Sequence, residues 1–216
     1  MSEMQQLPLD ISARPEPRFS NFAAGQNREA LAAVQALAEG GLREAVVYLW
    51  GAPGSGRTHL LRAAADANPD LTIADDVEGL DEAGQQALFM AINEARDGKA
   101  SVLAAGTAPP AGLHLREDVR TRLAWGLVFQ LKPLTDRDRK AHLRAAAADR
   151  GLHLGEDVAD YLLARMPRDV ASLNAALDWL DRVSLAKQRP LTIPLIREAL
   201  AEGAQRALLP RQGDRP

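Results

Sequence analysis

The chain has 216 residues, 46% of them hydrophobic and 25% charged, a composition that excludes wholesale disorder and allows a sizeable core. A net charge of −3 and a pI near 5.8 exclude general attraction to phosphate backbones, so DNA is expected only as an indirect partner. The absence of cysteine excludes disulfides and thiolate metal sites and fits a reducing, cytoplasmic setting. No charged-then-apolar leader opens the chain, and no apolar run approaches the roughly 18 residues of a membrane span, so no membrane partner is expected.

Residues 1–18 include Pro8, Pro15 and Pro17 without sustained periodicity and read as an extended arm. Helical spacing runs over 28–39 and stops at Gly40-Gly41. The apolar run 45–50 suits a buried parallel strand, the glycine-rich stretch 51–58 a turn, and 58–67 a helix. A second short strand, 71–74, ends in Asp75-Asp76, and Asp81 is placed to cap a helix reaching Arg96. Strands are expected at 101–105 and 127–131, with a short polar helix at 117–123 between them. Beyond Pro133 only helical patterns follow, at 135–150, 156–165, 169–187 and about 192–206, the last with Pro194 in its first turn. Alternating strands and helices followed by helices alone predict an α/β domain with a parallel sheet over 19–132, a small helical domain over 133–210 and a tail at 211–216.

Gly51-Ala52-Pro53-Gly54-Ser55-Gly56-Arg57-Thr58 fits the phosphate-binding loop G-x-x-x-x-G-K-[ST], with Arg57 where lysine is usual. Between a strand and a helix, such a loop turns backbone N–H groups toward phosphates and offers the Thr58 hydroxyl to Mg²⁺. A planar guanidinium at 57 can hold phosphate oxygens but suits γ-phosphate chemistry poorly, so binding is better supported than turnover. Asp75-Asp76 at a strand end is where one carboxylate reaches Mg²⁺ and the next orients a water, although paired acids also serve as plain turn residues. Arg120 and Arg122, ahead of the last strand, are surface arginines unless one completes a neighbour's nucleotide site. In the arm, Gln6-Leu7-Pro8-Leu9 offers one polar anchor and two apolar side chains to a groove, or is simply tail.

Taken together, Phe19-Ser20-Asn21-Phe22 with Gly25 and Asn27, the loop ending Gly54-Ser55-Gly56-Arg57-Thr58-His59, Asp75-Asp76, the segment 121–126 and Leu191-Thr192-Ile193-Pro194 resemble the DnaA regulatory inactivator (Hda-like) family. Its members are AAA+ relatives of the replication initiator DnaA. The resemblance spans nearly the whole chain and implies an AAA+ domain followed by a lid. It implies ADP (or ATP) and Mg²⁺ as cofactors, held by Gly51, Gly54, Gly56, Arg57, Thr58, His59, Asn27 and Arg168, with Thr58, Asp75 and Asp76 toward the metal. It implies docking on the β sliding clamp through Gln6, Leu7, Pro8 and Leu9, and Arg122 as an arginine finger promoting hydrolysis of ATP held by DnaA. Self-association is a further possibility.

Three departures from the family pattern stand out. Only residues 59–74 separate Thr58 from Asp75, too few for a further strand and helix, so the sheet is expected to lack one strand. Ala171 stands where the lid helix usually offers a sensor arginine, with Arg168 about one turn earlier as replacement. After the strand at 101–105 only Thr107 remains as a polar sensor. All three weigh against efficient ATP hydrolysis by the chain itself. The alternatives are an autonomous AAA+ ATPase and a DnaA-like initiator or loader acting on DNA, the latter disfavoured because no DNA-recognition domain is expected after the lid.

Overall fold

The computed structural model describes residues 16–166 and 170–208, without side chains for Ala171 and 202–208. The chain divides into two compact units, one over 16–135 and one beginning at Asp136.

The first unit is built on four parallel strands, β1 (Val46–Trp50), β2 (Thr72–Ala74), β3 (Val102–Gly106) and β4 (Leu127–Gln130), in the order β2-β3-β1-β4. Register is continuous across the centre, with Val46 opposite Val102 and Val47 opposite Leu127. The two inner strands are apolar throughout because both of their faces are covered, whereas edge strand β4 alternates between half-buried and exposed. Alternation along β1 sends Val47 and Leu49 to one face and Val46 and Tyr48 to the other. On the first face lie α1 (Arg28–Ala38) and α2 (Arg57–Ala67), contributing Val34, Leu37, Leu60, Leu61 and Ala64. On the second, α3 (Glu82–Arg96) and α4 (Glu117–Leu123) add Leu88, Ile92, Val119 and Leu123. The Asp81 side chain caps α3, accepting the Gly84 N–H at 2.8 Å.

Sequence patterning reads every one of these elements to within about two residues. The sheet has four strands, as the short 59–74 spacing anticipates, and β2 becomes an edge. What periodicity leaves out are three single 3₁₀ turns, at Phe19–Asn21, Val77–Gly79 and Pro110–Gly112.

The second unit consists of α5 (Asp136–Asp149), α6 (Glu156–Leu163), α7 (Val170–Lys187) and α8 (Ile193–Leu208) around their own core of Leu143, Val158, Leu162, Leu177, Leu195 and Ile196. Among the described residues no helix is long and apolar enough to cross a membrane.

Candidate functional site

Because all four strands are parallel, the loop after β1, the acidic pair after β2 and Thr107 after β3 emerge at the same end of the sheet, where ligands of open α/β sheets collect. The loop's glycines are there for backbone reasons. Gly54 (φ +79) and Gly56 (φ +100) are left-handed, and a Cβ on Gly51 would run into the Leu131 carbonyl. Gly56 is also the N-cap of α2 and has no side chain with which to cap it, so the first-turn N–H groups stay available.

Two further polar atoms lack partners within the loop itself. Ser55 Oγ and Arg57 Nη1 are buried without a hydrogen bond, in residues only 6% and 8% exposed. Uncapped N–H groups, a buried guanidinium and a free hydroxyl make a place that suits an anion, and a nucleotide's phosphates fit it. Thr58 Oγ1 donates to Asp75 Oδ2 at 2.7 Å, bringing together the hydroxyl and carboxylate expected toward Mg²⁺. Two protein oxygens suffice for an ion that keeps most of its water and takes phosphate oxygens. No cluster of three or more metal-ligating side chains exists among the described residues.

Asp76 has a different occupation. Its backbone is left-handed (φ 45, ψ 52), its N–H donates to Asp75 Oδ1 at 3.0 Å, and its carboxylate lies 3.4 Å from Arg57 Nη1. The buried cation at the lysine position is thus balanced by the second acid of the pair. Close by is Glu78, a residue the sequence pattern did not single out. One of its oxygens accepts the Thr107 N–H at 3.1 Å, joining the turn after β2 to the end of β3, and the other is buried without a partner. A Cβ on Gly106 would strike both that carboxylate and the Tyr48 hydroxyl, so both groups lie against the end of β3. Burial, and then the Glu78 charge, push the Tyr48 phenol above its ordinary pKa, with Arg57 opposing; the hydroxyl donates to the Ala108 carbonyl at 2.7 Å.

The segment before α1 closes over the loop helix. His59 Nε2 donates to the Arg18 carbonyl at 3.0 Å, and its ring lies 5.3 Å from that of Phe22, which in turn contacts Gly56. Burial holds the His59 pKa below its usual value, partly offset by the bond to Arg18. Asn27 is almost fully buried, and its amide makes a two-point clasp with residue 132: Nδ2 donates to the Lys132 carbonyl at 2.9 Å and Oδ1 accepts the Lys132 N–H at 2.8 Å. That pairing fixes the backbone of the segment beside the loop, which spacing alone does not reveal.

Arg122, on α4, is not extended into solvent. Its Nε donates to Asn93 Oδ1 at 2.9 Å and its Nη1 to the Asp118 carbonyl at 3.2 Å. The guanidinium lies 4.0 Å from the Phe89 ring centre and 5.1 Å from that of Trp125. The nearby Asp118 carboxylate is taken by Arg116, which donates to it from Nε at 3.1 Å and Nη2 at 2.6 Å and holds its pKa below the ordinary value. The two hydrogen bonds of the Arg122 guanidinium thus go to neutral oxygens. Arg120 instead points one amino group to the Ala111 carbonyl and buries Nε without a partner. Gln6, Leu7, Pro8, Leu9 and Arg168 lie outside the described residues.

Residues 136–200 match a family model described as "Hda, lid domain". Among solved structures the chain is similar to domain III of the replication initiation protein DnaA from Thermotoga maritima, with 20% identity and a TM-score of 0.63, covering 92% of this chain and 99% of that one. It is also similar to AMPPCP-bound DnaA from Aquifex aeolicus, at 22% identity and a TM-score of 0.63, over 79% of this chain and 66% of that one. RuvB of Thermotoga maritima, a Holliday junction branch migration motor, shares 16% identity at a TM-score of 0.56, over 82% and 67%. At these identities the structural likeness is one of fold, the AAA+ fold, while the family-model match concerns residues 136–200.

Proposed function

We infer that this chain is an Hda-like, DnaA-related AAA+ protein that regulates replication initiation by binding ADP, docking on the β sliding clamp and stimulating hydrolysis of ATP held by DnaA. The observation that carries the reading is the state of Arg122: a fixed guanidinium at the end of a short helix whose bonding partners are all neutral. An arginine presented in this way can meet charge that develops on a partner's transferring phosphate, and a preset cation there speeds reaction by orders of magnitude.

The chain's own nucleotide has a supporting part. The uncapped first turn of α2, with Ser55 and Arg57, would hold its phosphates, and Thr58 with Asp75 would hold Mg²⁺, which when bound screens phosphate charge. An autonomous ATPase is the weaker alternative, because the Asp76 carboxylate is paired with Arg57 and not free to orient a water. Gln6, Leu7, Pro8 and Leu9 supply the clamp-binding peptide in this reading, which leaves DNA an indirect partner.

Replacing the finger tests the proposal. Arg122→Ala should lower the stimulated hydrolysis of DnaA-bound ATP by at least about 10²-fold, and Arg122→Lys should recover little, since a point charge on a flexible stem cannot make the same fork of bonds. Arg120→Ala is the control, because that side chain turns to Ala111. Wild-type stimulation by Arg122→Ala, or its loss in Arg120→Ala alone, would sink the reading.

A further inference from the structure

Nucleotide binding by the loop residues gives the buried oxygen of Glu78 no task. An unpaired buried carboxylate oxygen is costly, and a glutamine at 78 would accept the same Thr107 N–H without a charge to desolvate. What the carboxylate adds over the amide is charge, and its place decides which ligand feels it. The Gly51 N–H donates to the Gly106 carbonyl at 3.3 Å, joining the start of the phosphate-binding loop to the end of β3. Against that same end lies the free Glu78 oxygen, 2.8 Å from where a Cβ on Gly106 would stand. After burial, the influences on the Tyr48 phenol are Glu78, which raises its pKa, and Arg57, which lowers it, so both charges lie within electrostatic reach of that hydroxyl.

We propose that Glu78 is a specificity-determining residue, favouring a nucleoside diphosphate over a triphosphate by holding fixed negative charge where the terminal phosphate of the longer ligand would arrive. The proposal rests on the reading that the loop after β1 binds an adenine nucleotide. In loops of this kind backbone N–H groups cradle the inner phosphates, while the outermost one meets residue 57 and the ends of the neighbouring strands. Here those ends carry more acid than base. Arg57 supplies the cation, with the Asp76 carboxylate 3.4 Å from it and Glu78 in the 3₁₀ turn that Asp76 opens. Asp76 is two-thirds exposed and screened by water, whereas the free oxygen of Glu78 is buried and escapes that screening. The Thr107 N–H, a donor that could otherwise meet a phosphate at the end of β3, is committed to Glu78. Asp75 meanwhile accepts from Thr58, with which it would hold Mg²⁺. A diphosphate ends short of this acidic corner, and a triphosphate enters it.

Calorimetry of the nucleotide-free full chain with ADP and with ATP, both in excess Mg²⁺ at neutral pH, gives the ratio of the two dissociation constants, and circular dichroism follows the melting of each variant. Wild type should prefer ADP. Glu78→Gln should cut that preference at least about tenfold through tighter ATP binding, with the ADP constant staying within about threefold of wild type. Glu78→Ala, which removes charge and tether together, should cut the preference likewise, whereas Glu78→Asp keeps the charge and should retain it. A merely structural role predicts another pattern: Glu78→Gln, still able to accept the Thr107 N–H, behaves as wild type, and Glu78→Ala and Glu78→Asp weaken both nucleotides alike. That pattern, an unchanged ratio in Glu78→Gln, or a wild type without ADP preference overturns the proposal and leaves nucleotide binding standing. Should Glu78→Gln fail to fold, the ratio in Glu78→Ala against that in Glu78→Asp decides the matter. Failure of the wild-type chain to bind either nucleotide removes the nucleotide reading and this proposal together.

Discussion

Two glycines in the loop after β1 adopt similar backbones and yet should respond differently to the same methyl group. At Gly54 a Cβ meets open space, so Gly54→Ala carries only the left-handed strain of about 1–2 kcal/mol. At Gly56 the Cβ would stand 2.7 Å from the Phe22 ring, which is packed against His59 and must be displaced as well. Gly56→Ala should therefore exceed Gly54→Ala by roughly 1–3 kcal/mol in urea unfolding of the nucleotide-free protein. Equal losses would mean that Phe22 does not press on the loop. The sequence marks these glycines plainly, since spacing and flanking elements identify the loop, and it includes Phe22 within a motif. Why Phe22 is there is a three-dimensional fact. The same holds for Asn93 and Glu78, which occupy ordinary positions in a helix and a turn and acquire meaning only from what folding sets beside them.

Helix α2 carries the loop's charge chemistry at one end and a titratable tether to the preceding segment. Burial lowers the pKa of His59 there, and of His142 on α5, where Nε2 donates to Asn174 Oδ1 at 3.1 Å. A depressed histidine is held neutral in the folded chain, so below about pH 6.5 the unfolded chain binds protons that the folded one resists. Stability from both groups is fully present above that pH and is lost as pH falls toward the depressed folded values. Thermal melting should accordingly drop between about pH 7 and pH 5, and the drop should shrink in a His59→Gln, His142→Gln double variant. An unchanged slope would show that neither imidazole is coupled to folding. Asp118 and Glu198, whose pKa values are lowered by arginine and lysine partners, also lose their contribution as pH falls, but in a more acidic range. Elements of this length were legible because burial imposes a period of two or 3.6 on them. The 3₁₀ turns were not, because three residues contain less than one period, and Val77–Gly79 is the turn that brings Glu78 to Thr107.

Among the described residues there are two sets of cores that share no residue, one around the sheet and one inside the helical unit. Residues 136–216 expressed alone should consequently give a cooperative, helical thermal transition by circular dichroism. A non-cooperative, concentration-independent signal would show that the helical unit needs the sheet unit to fold. The division itself is visible in the sequence as the end of strand patterning after Pro133. The clasp that completes the first unit is not, since an asparagine and a lysine separated by 105 positions carry no local signal.

That clasp has a consequence for the order of events at the ribosome. Asn27 can be satisfied only once Lys132 has emerged, and loop closure over such a span is entropically expensive. Strands β1, β2 and β3 can already pair before then, because β4 joins the sheet at an edge beside β1. The nascent chain would therefore hold a three-stranded intermediate with the edge of β1 open, sealed in one late step as β4 and the Asn27 clasp arrive together. Emergence of β4 precedes emergence of the helical unit, so a nascent chain exposed only as far as residue 126 carries an unpaired strand edge, and one exposed as far as residue 135 does not.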